Sequence, residues 1–287
     1  MPTTSRRQRL APKPWPGSPI PVPFSQGWRV GDLLFIGAQA SMGPGPFDKS
    51  SVIGPGDIEV QTRTTFNYIT KLLHEAGADW KHVVKLNTYY DDRSEGNQLV
   101  EFWKKMTNVR LEFLQDPGPC GTAIRVGLPY PGLLIAAEAI AFLGDPNDRV
   151  RLMPKPWWEW PIQVPLSQGW RAGNIVFLGG QVSMNERGEV VGPGDIEVQT
   201  RTVFEYLTRL LHETGADWKD VVKLNTFFDF AGAGDSVLEF WKKLTRVRLE
   251  FLRAPGPGGT AVRAGFGAAG LLIEVEGIAV LKVKSSD

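Results

Sequence analysis

The sequence is poor in the groups that build disulfides and metal centres. Its single cysteine, Cys120, excludes an intrachain disulfide, and its three histidines, His74, His82 and His212, form no ligand cluster. That pattern argues against a structural zinc site, and no metal or cofactor is expected. An excess of either charge is also missing. The 32 Lys and Arg against 31 Asp and Glu leave a formal charge of +1 without a long basic run, so neither nucleic acid nor a membrane surface is an expected partner. No run of about 18 or more apolar residues occurs, and the N-terminal MPTTSRRQRLAPKPWPGSP lacks the continuous apolar segment of a secretory signal. The chain reads as a cytoplasmic protein that opens with a loose, proline-rich leader.

What the sequence does contain is a repeat. PFSQGWRVGDLLFIGAQASM at Pro23 returns as PLSQGWRAGNIVFLGGQVSM at Pro165, an offset of 142 residues. GPGDIEVQTRTTFNYITKLLHEAGADWKHVVKLNT at Gly54 returns at Gly192 with six differences in 35 positions, an offset of 138. The four residues lost, 142 − 138, come from the loop between the blocks, GPGPFDKSSVI in one copy and NERGEVV in the other, as suits a hairpin tip. A period this long is far above solenoid repeats. Two tandem domains are therefore expected, 1–144 with the leader and 145–287.

Within each copy the elements follow from periodicity. Leu33 to Ser41 is an apolar run between Gly31 and Gly43, which predicts a strand. Asp57 is placed to cap a helix on which Ile58, Thr62, Phe66, Ile69, Leu72 and Leu73 recur at helical spacing, and Gly77 is placed to stop it. HVVKLNTYY alternates, with Val84, Leu86 and Thr88 on one side and Lys85, Asn87 and Tyr89 on the other, which predicts a strand with two different faces. A second helix is predicted over 97–114, then strands in GTAIRVG and LLIAAEAIAF, with a short strand over 26–30 before all of these. The predicted class is α+β, an α/β sandwich in which each copy is one mixed sheet with two helices on one face. The other face then needs a cover, and the same face of another copy is the simplest.

SQGWRVGDLLFIGAQ, the block at Gly54, and the closing LLIAAEAIA and LLIEVEGIA strands, in this order and spacing, resemble the RidA/YjgF family of imine and enamine deaminases over both copies nearly end to end. The resemblance implies a chorismate-mutase-like fold, ligand clefts between domains around a threefold axis, and hydrolysis of reactive 2-imino or 2-aminoacrylate acids without metal or cofactor. It also implies an arginine that grips the substrate carboxylate, and that arginine is absent. Its place falls on Cys120 or Gly121 in GPCGTAIRVGLP and on Gly258 or Gly259 in GPGGTAVRAGFG. A tyrosine common near the first strand is replaced by Phe24 and Leu166. Glu138 and Glu276 match the family's glutamate beside the attacking water.

Imine hydrolysis needs a holder for the substrate's anionic end, a group to position water, and a proton route to the leaving nitrogen. Glu138 and Glu276 sit in otherwise apolar strands, where a charge is expensive unless paired or functional, and are the catalytic candidates. Arg125 and Arg263, in GTAIR and GTAVR, either form a cross-strand pair with those glutamates or take over carboxylate binding. Backbone N–H groups of the turns at Cys120, Gly121, Gly258 and Gly259 are candidate oxyanion donors, against the plainer reading of tight turns. Cys120 reads as a packed thiol rather than a nucleophile. Asn87, Asn225, Gln39 and Gln181 could bind substrate amide or carbonyl groups, or be satisfied buried amides. Trp28, Trp170, Trp103 and Trp241 read as packing, and the run Trp157, Trp158, Trp160 as a domain seal or the wall of a cleft.

Both copies lack the arginine and both keep the glutamate, which points to a changed substrate rather than decay of a spare copy. The reading is a cofactor-independent deaminase for an imine, enamine or related C–N substrate, for instance a 2-aminomuconate-like compound, in a homotrimer whose chains supply six domains. Two alternatives stay open. One is a non-catalytic binding protein that reuses the clefts. The other is a cyclic-amide hydrolase of similar fold using serine and lysine, for which Ser25 with Lys85 and Ser167 with Lys223 are the candidates.

Overall fold

The structure, a computed structural model, describes residues 7–12, 23–43, 51–158 and 162–282. It contains two six-stranded mixed sheets with two α-helices each, the α+β class expected. The first copy runs β1 (Arg7–Leu10), β2 (Gly27–Val30), β3 (Leu33–Ala40), α1 (Ile58–Glu75), β4 (Val83–Tyr90), α2 (Gly96–Arg110), β5 (Cys120–Arg125) and β6 (Ile135–Phe142). The second runs β7 (Arg149–Leu152), β8 (Gly169–Ala172), β9 (Ile175–Val182), α3 (Ile196–Glu213), β10 (Val221–Phe228), α4 (Asp235–Phe251), β11 (Gly258–Arg263) and β12 (Ile273–Val280). The sheet orders are β1-β2-β3-β6-β4-β5 and β11-β10-β12-β9-β8-β7, the same topology read in opposite directions. By backbone contact the chain divides into a first unit of 1–119, 125–146 and 164–166 and a second of 120–124, 147–163 and 167–287.

The local rules act alike in both units. Asp57 caps α1 by accepting from the N–H groups of Glu59 and Val60 at 3.0 and 3.1 Å, and Asp195 does the same for α3. Gly77 and Gly215 follow the helices with φ of 73° and 74°, a left-handed conformation that costs other residues more. α1 packs against α2 and onto β3 and β6, and α3 against α4 and onto β9 and β12. The stripe of Phe66, Ile69, Leu72 and Leu73 is wholly buried against Leu34, Leu86, Ala137 and Ala141, with Phe66 stacked on Trp80 at 4.9 Å. Phe204 and Trp218 repeat that stack at 4.9 Å.

A buried glutamine fixes each long helix to its sheet. Gln61 Nε2 donates to the carbonyls of Gly54 and Gly132 at 2.8 and 2.6 Å, and its Oε1 accepts from Leu134 N–H at 2.8 Å. Gln199 makes the same three bonds to Gly192, Gly270 and Leu272. One side chain thus supplies the partner of a backbone N–H and a second hydrogen bond to two turn carbonyls.

The N-terminal segment departs from the sequence reading. Part of the expected loose leader is β1, antiparallel to β2, with Leu10 fully buried in the first core and Arg7 over the Trp28 ring at 5.0 Å. β7 pairs with β8 in the same way, with Arg149 over Trp170 at 4.5 Å. The reason is alternation: RQRL and RVRL each place the final leucine inward at strand period. The tryptophans serve packing as expected, Trp103 and Trp241 each lying under a guanidinium, Arg110 and Arg248, at 5.6 Å. Burial pushes both arginines down to about 10. Residues 44–50 of the first hairpin tip and Trp160 lie outside the described residues.

Candidate functional site

The face of each sheet opposite the helices carries the glutamates. In the second unit, Glu276 on β12 stands in register with Asn225 on β10 and is 2% exposed. Asn225 Nδ2 donates to Glu276 Oε1 at 2.8 Å, and the Thr122 hydroxyl donates to Oε2. In the first unit, Glu138 on β6 stands in register with Asn87 on β4 and is partly exposed. Asn87 Nδ2 donates to Glu138 Oε1 at 3.2 Å and the Tyr89 hydroxyl to the same oxygen at 2.9 Å. Each carboxylate thus accepts from an asparagine and from a hydroxyl, an arrangement that fixes its direction.

A β-bulge shapes the second site. The β12–β9 register shifts between Val275 and Gly277, opposite Gly179 and Gly180. A Cβ on Gly180 would stand 1.9 Å from Glu274 Oε1 and 3.0 Å from Thr122 Oγ1, so glycine there makes room for a second carboxylate. Glu274 is 6% exposed and lies two residues from Glu276 on the same strand face. Glu274, Thr122 and Tyr89 belong to no motif that marks them as functional in the sequence. The signal was in the repeat: Glu274 and Gly180 replace Ala136 and Ala38, and Phe227 replaces Tyr89.

The other candidates are distributed as follows. Arg125 Nη2 donates to the Ser94 carbonyl at 3.3 Å and Arg263 Nη2 to the Gly232 carbonyl at 2.9 Å, both in loops before the second helix of each copy. Arg263 is in register with Phe228, three residues beyond Asn225, so it stands on the sheet face opposite Glu276. Cys120 is fully buried, its thiol donating to the Phe177 carbonyl at 3.6 Å, and it bridges to Ser167 in parallel register beside Gly121. Gly258 and Gly259 begin β11, which is exposed along its whole length. Gln39 donates to Gln26 at 3.1 Å and to the Gly37 carbonyl at 2.8 Å. Gln181 donates to Gln168 at 3.0 Å and accepts from Trp158 Nε1 at 2.9 Å. Phe24 is 78% exposed, whereas Leu166 packs on the first core. Ser167 accepts from Arg151 Nε at 2.9 Å, and Lys223 donates to Thr260 at 2.6 Å.

The Endoribonuclease L-PSP family profile matches this chain twice, over 18–143 and 161–281. The chain belongs to that family. Endoribonuclease L-PSP membership in tandem is what the RidA/YjgF resemblance of the sequence implied. A RutC family protein of Pyrococcus abyssi is 34% identical over 126 residues, 44% of this chain and 91% of its own length. A protein of Dermatophagoides farinae named 2-iminobutanoate/2-iminopropanoate deaminase is 29% identical over 136 residues, 46% of this chain and 97% of its own length. Such relatives span one copy. A crystal structure titled chorismatase covers 88% of this chain and 76% of its own, with TM-score 0.65 at 15% identity, which shows a shared fold running through both copies. Among the described residues no helix is long and apolar enough to cross a membrane, and no group of three or more His, Cys, Asp or Glu is placed to hold a metal.

Proposed function

We propose that this chain is a cofactor-independent hydrolase that deaminates an imine, enamine or related C–N compound, with Glu138 and Glu276 positioning the attacking water. The observation that carries the reading is the repeated pair: in both copies a strand glutamate is held by the cross-strand asparagine, Asn87 or Asn225, and accepts from a hydroxyl, Tyr89 or Thr122. A carboxylate so oriented takes a proton from water as the water oxygen adds to the C=N carbon. It passes that proton to nitrogen to complete the carbinolamine, then takes the carbinolamine hydroxyl proton and delivers it to nitrogen as the C–N bond breaks and the carbonyl forms. Family membership and the relative named as a deaminase support the same chemistry.

With Cys120 and Gly121, or Gly258 and Gly259, where the family arginine is expected, the substrate differs from the small 2-imino acids. Its anionic group is delocalised or remote from the reacting carbon, as in a 2-aminomuconate-type compound. We take the working assembly to be a homotrimer of two-domain chains, divided at 144/145, in the cytoplasm.

The test is ammonia release over the uncatalysed rate, with enzymatically generated imino acids and a 2-aminomuconate-type substrate, for the native protein and the double variant Glu138→Ala, Glu276→Ala. The double variant should lose at least about 100-fold in kcat. Release that persists in it would sink the assignment of the glutamates, and none above background from the native protein would sink the reading and favour a binding protein or a cyclic-amide hydrolase.

A further inference from the structure

We propose that β11 of one chain docks on the β3–β6 face of a second copy and sets its Thr260 hydroxyl on Glu138 there, so that the first site is complete only where two chains meet. This rests on the reading above for the role of Glu138. The observation behind it is a mismatch within the repeat. Residues 120–124 of β5 belong by contact to the second unit. There Cys120 bridges to Ser167 in parallel register, its thiol donates to the Phe177 carbonyl, and the Thr122 hydroxyl donates to Glu276. β11 is the same strand in the second copy, and it is exposed along its whole length.

The exposed strand carries the same side of the contact. Gly258, Thr260 and Val262 stand in register with Lys223, Asn225 and Phe227, so they share the sheet face that carries Glu276. Their counterparts Cys120, Thr122 and Ile124 are all buried, and Val262 is 43% exposed where Ile124 is 1%. GGTAVR holds no proline and no charge before Arg263, the devices that keep an edge strand from pairing.

The receiving face is open to match. On β9, Phe177, Gly179 and Gly180 are buried, and a Cβ on Gly179 would stand 3.2 Å from Cys120 Cβ, so β5 lies directly on this bulge. On β3 their counterparts Phe35, Gly37 and Ala38 are exposed, Phe35 at 42% where Phe177 is 1%. The carboxylates differ in the same sense. Glu276 accepts from Asn225 on Oε1 and from Thr122 on Oε2, whereas Asn87 and Tyr89 both donate to Glu138 Oε1 and leave Oε2 for a further hydroxyl. Thr260 can supply it. A hydroxyl donates once and accepts twice; that of Thr260 accepts from Lys223 Nζ at 2.6 Å and keeps its proton for Oε2.

The occupant is a second copy of this chain because each open patch repeats, residue for residue, one half of a contact that β5 and β9 already make: Val262 for Ile124, Thr260 for Thr122, Phe35 for Phe177, Ser25 for Ser167. Strand and face are different patches, so the contact is heterologous. Every chain offers one of each, and such contacts close into a ring or run on as a filament. The homotrimer proposed above is the closed form.

The test is mass in solution by sedimentation equilibrium, with Val262→Asp on the strand and Phe35→Asp on the face. The native chain should associate and each variant alone should be monomeric. The two mixed should form a heterodimer that grows no further, since one intact strand then meets one intact face. A monomeric native chain at micromolar concentration overturns the proposal however the variants fold, and so does native mass in either variant or a mixture that stays monomeric. Turnover tests the site. In a Glu276→Ala background, Thr260→Val should keep the native mass and lower turnover about tenfold. Val262→Asp should lower it as far, and an added Phe35→Asp, Glu138→Ala, Glu276→Ala chain, which has neither glutamate but an intact β11, should restore it. Native turnover in Thr260→Val, or no restoration, removes Thr260 from the first site and overturns its completion by a second chain. If no imine is turned over, the hydrolase reading fails and the masses still decide the docking.

Discussion

The two edge strands β5 and β11 occupy equivalent places in the repeat, yet their surroundings are opposite. β5 alternates buried and half-buried residues, and its Thr122 reaches Glu276; β11 is exposed along its length, and its Thr260 accepts from Lys223. The glutamates differ to match, Glu276 at 2% exposure and Glu138 partly open. Duplication has kept one frame and produced two unlike sites. What is common to both copies, the capped helix, the buried glutamine, the stacked Phe and Trp and the Asn–Glu pair, belongs to the frame. What differs, Tyr89 against Phe227, Ala136 against Glu274 and Ala38 against Gly180, lies on the face away from the helices.

Three comparisons between the copies sharpen or break that division. The largest effect should come from the shared frame: Gln61→Ala and Gln199→Ala each remove the partner of one interior N–H, Leu134 or Leu272, and take a second hydrogen bond from two carbonyls, for about 3 kcal/mol by denaturant melts. Equal losses are expected, and a variant of either copy that melts like the native chain would refute the common role. Next comes an asymmetric pair. Gly180→Ala drives a methyl into Glu274 and should cost about 2 kcal/mol of overpacking strain. Ala38→Gly, at the matching place, should cost less than about 1 kcal/mol. Equal costs would mean that glycine at 180 is not there for the carboxylate. The smallest effect concerns Tyr89. Tyr89→Phe removes one of two hydrogen bonds to Glu138 and should weaken the first site alone, by about 1 kcal/mol or several-fold in its share of turnover. It is measured in a Glu276→Ala background, where native turnover in the Tyr89→Phe chain would remove the tyrosine from the site.

Most of the fold was legible because its signals are local and appear twice. Asp57 before Ile58, Gly77 after the last turn, and the alternation of Leu86 and Thr88 against Asn87 and Tyr89 each state an element or a face within a few residues. Glu138 and Glu276 were legible as charges inside apolar strands. The partners of those charges were not. Thr122 is an ordinary strand threonine until the fold sets it beside a residue 154 positions away, and Gly180 reveals its purpose only when a Cβ is imagined there. Arg263 read as a neighbour of Glu276 because the strands are adjacent in sequence, but a register offset of three residues turns it to the other face. β1 escaped notice because four residues of alternation are weak beside so many prolines.

That small strand bears on how the gene was doubled. RQRL at Arg7–Leu10 and RVRL at Arg149–Leu152 keep the offset of 142 found at Pro23 and Pro165, and both pair with the following strand in one register. The stretch that was copied therefore reached back at least to the arginine that opens each arm. The arm was already part of the ancestral single-copy protein and not an addition made to join two finished halves. β6 ends at Phe142 and the second arm opens at Arg149, so only a few residues join the last strand of one copy to the first strand of the next.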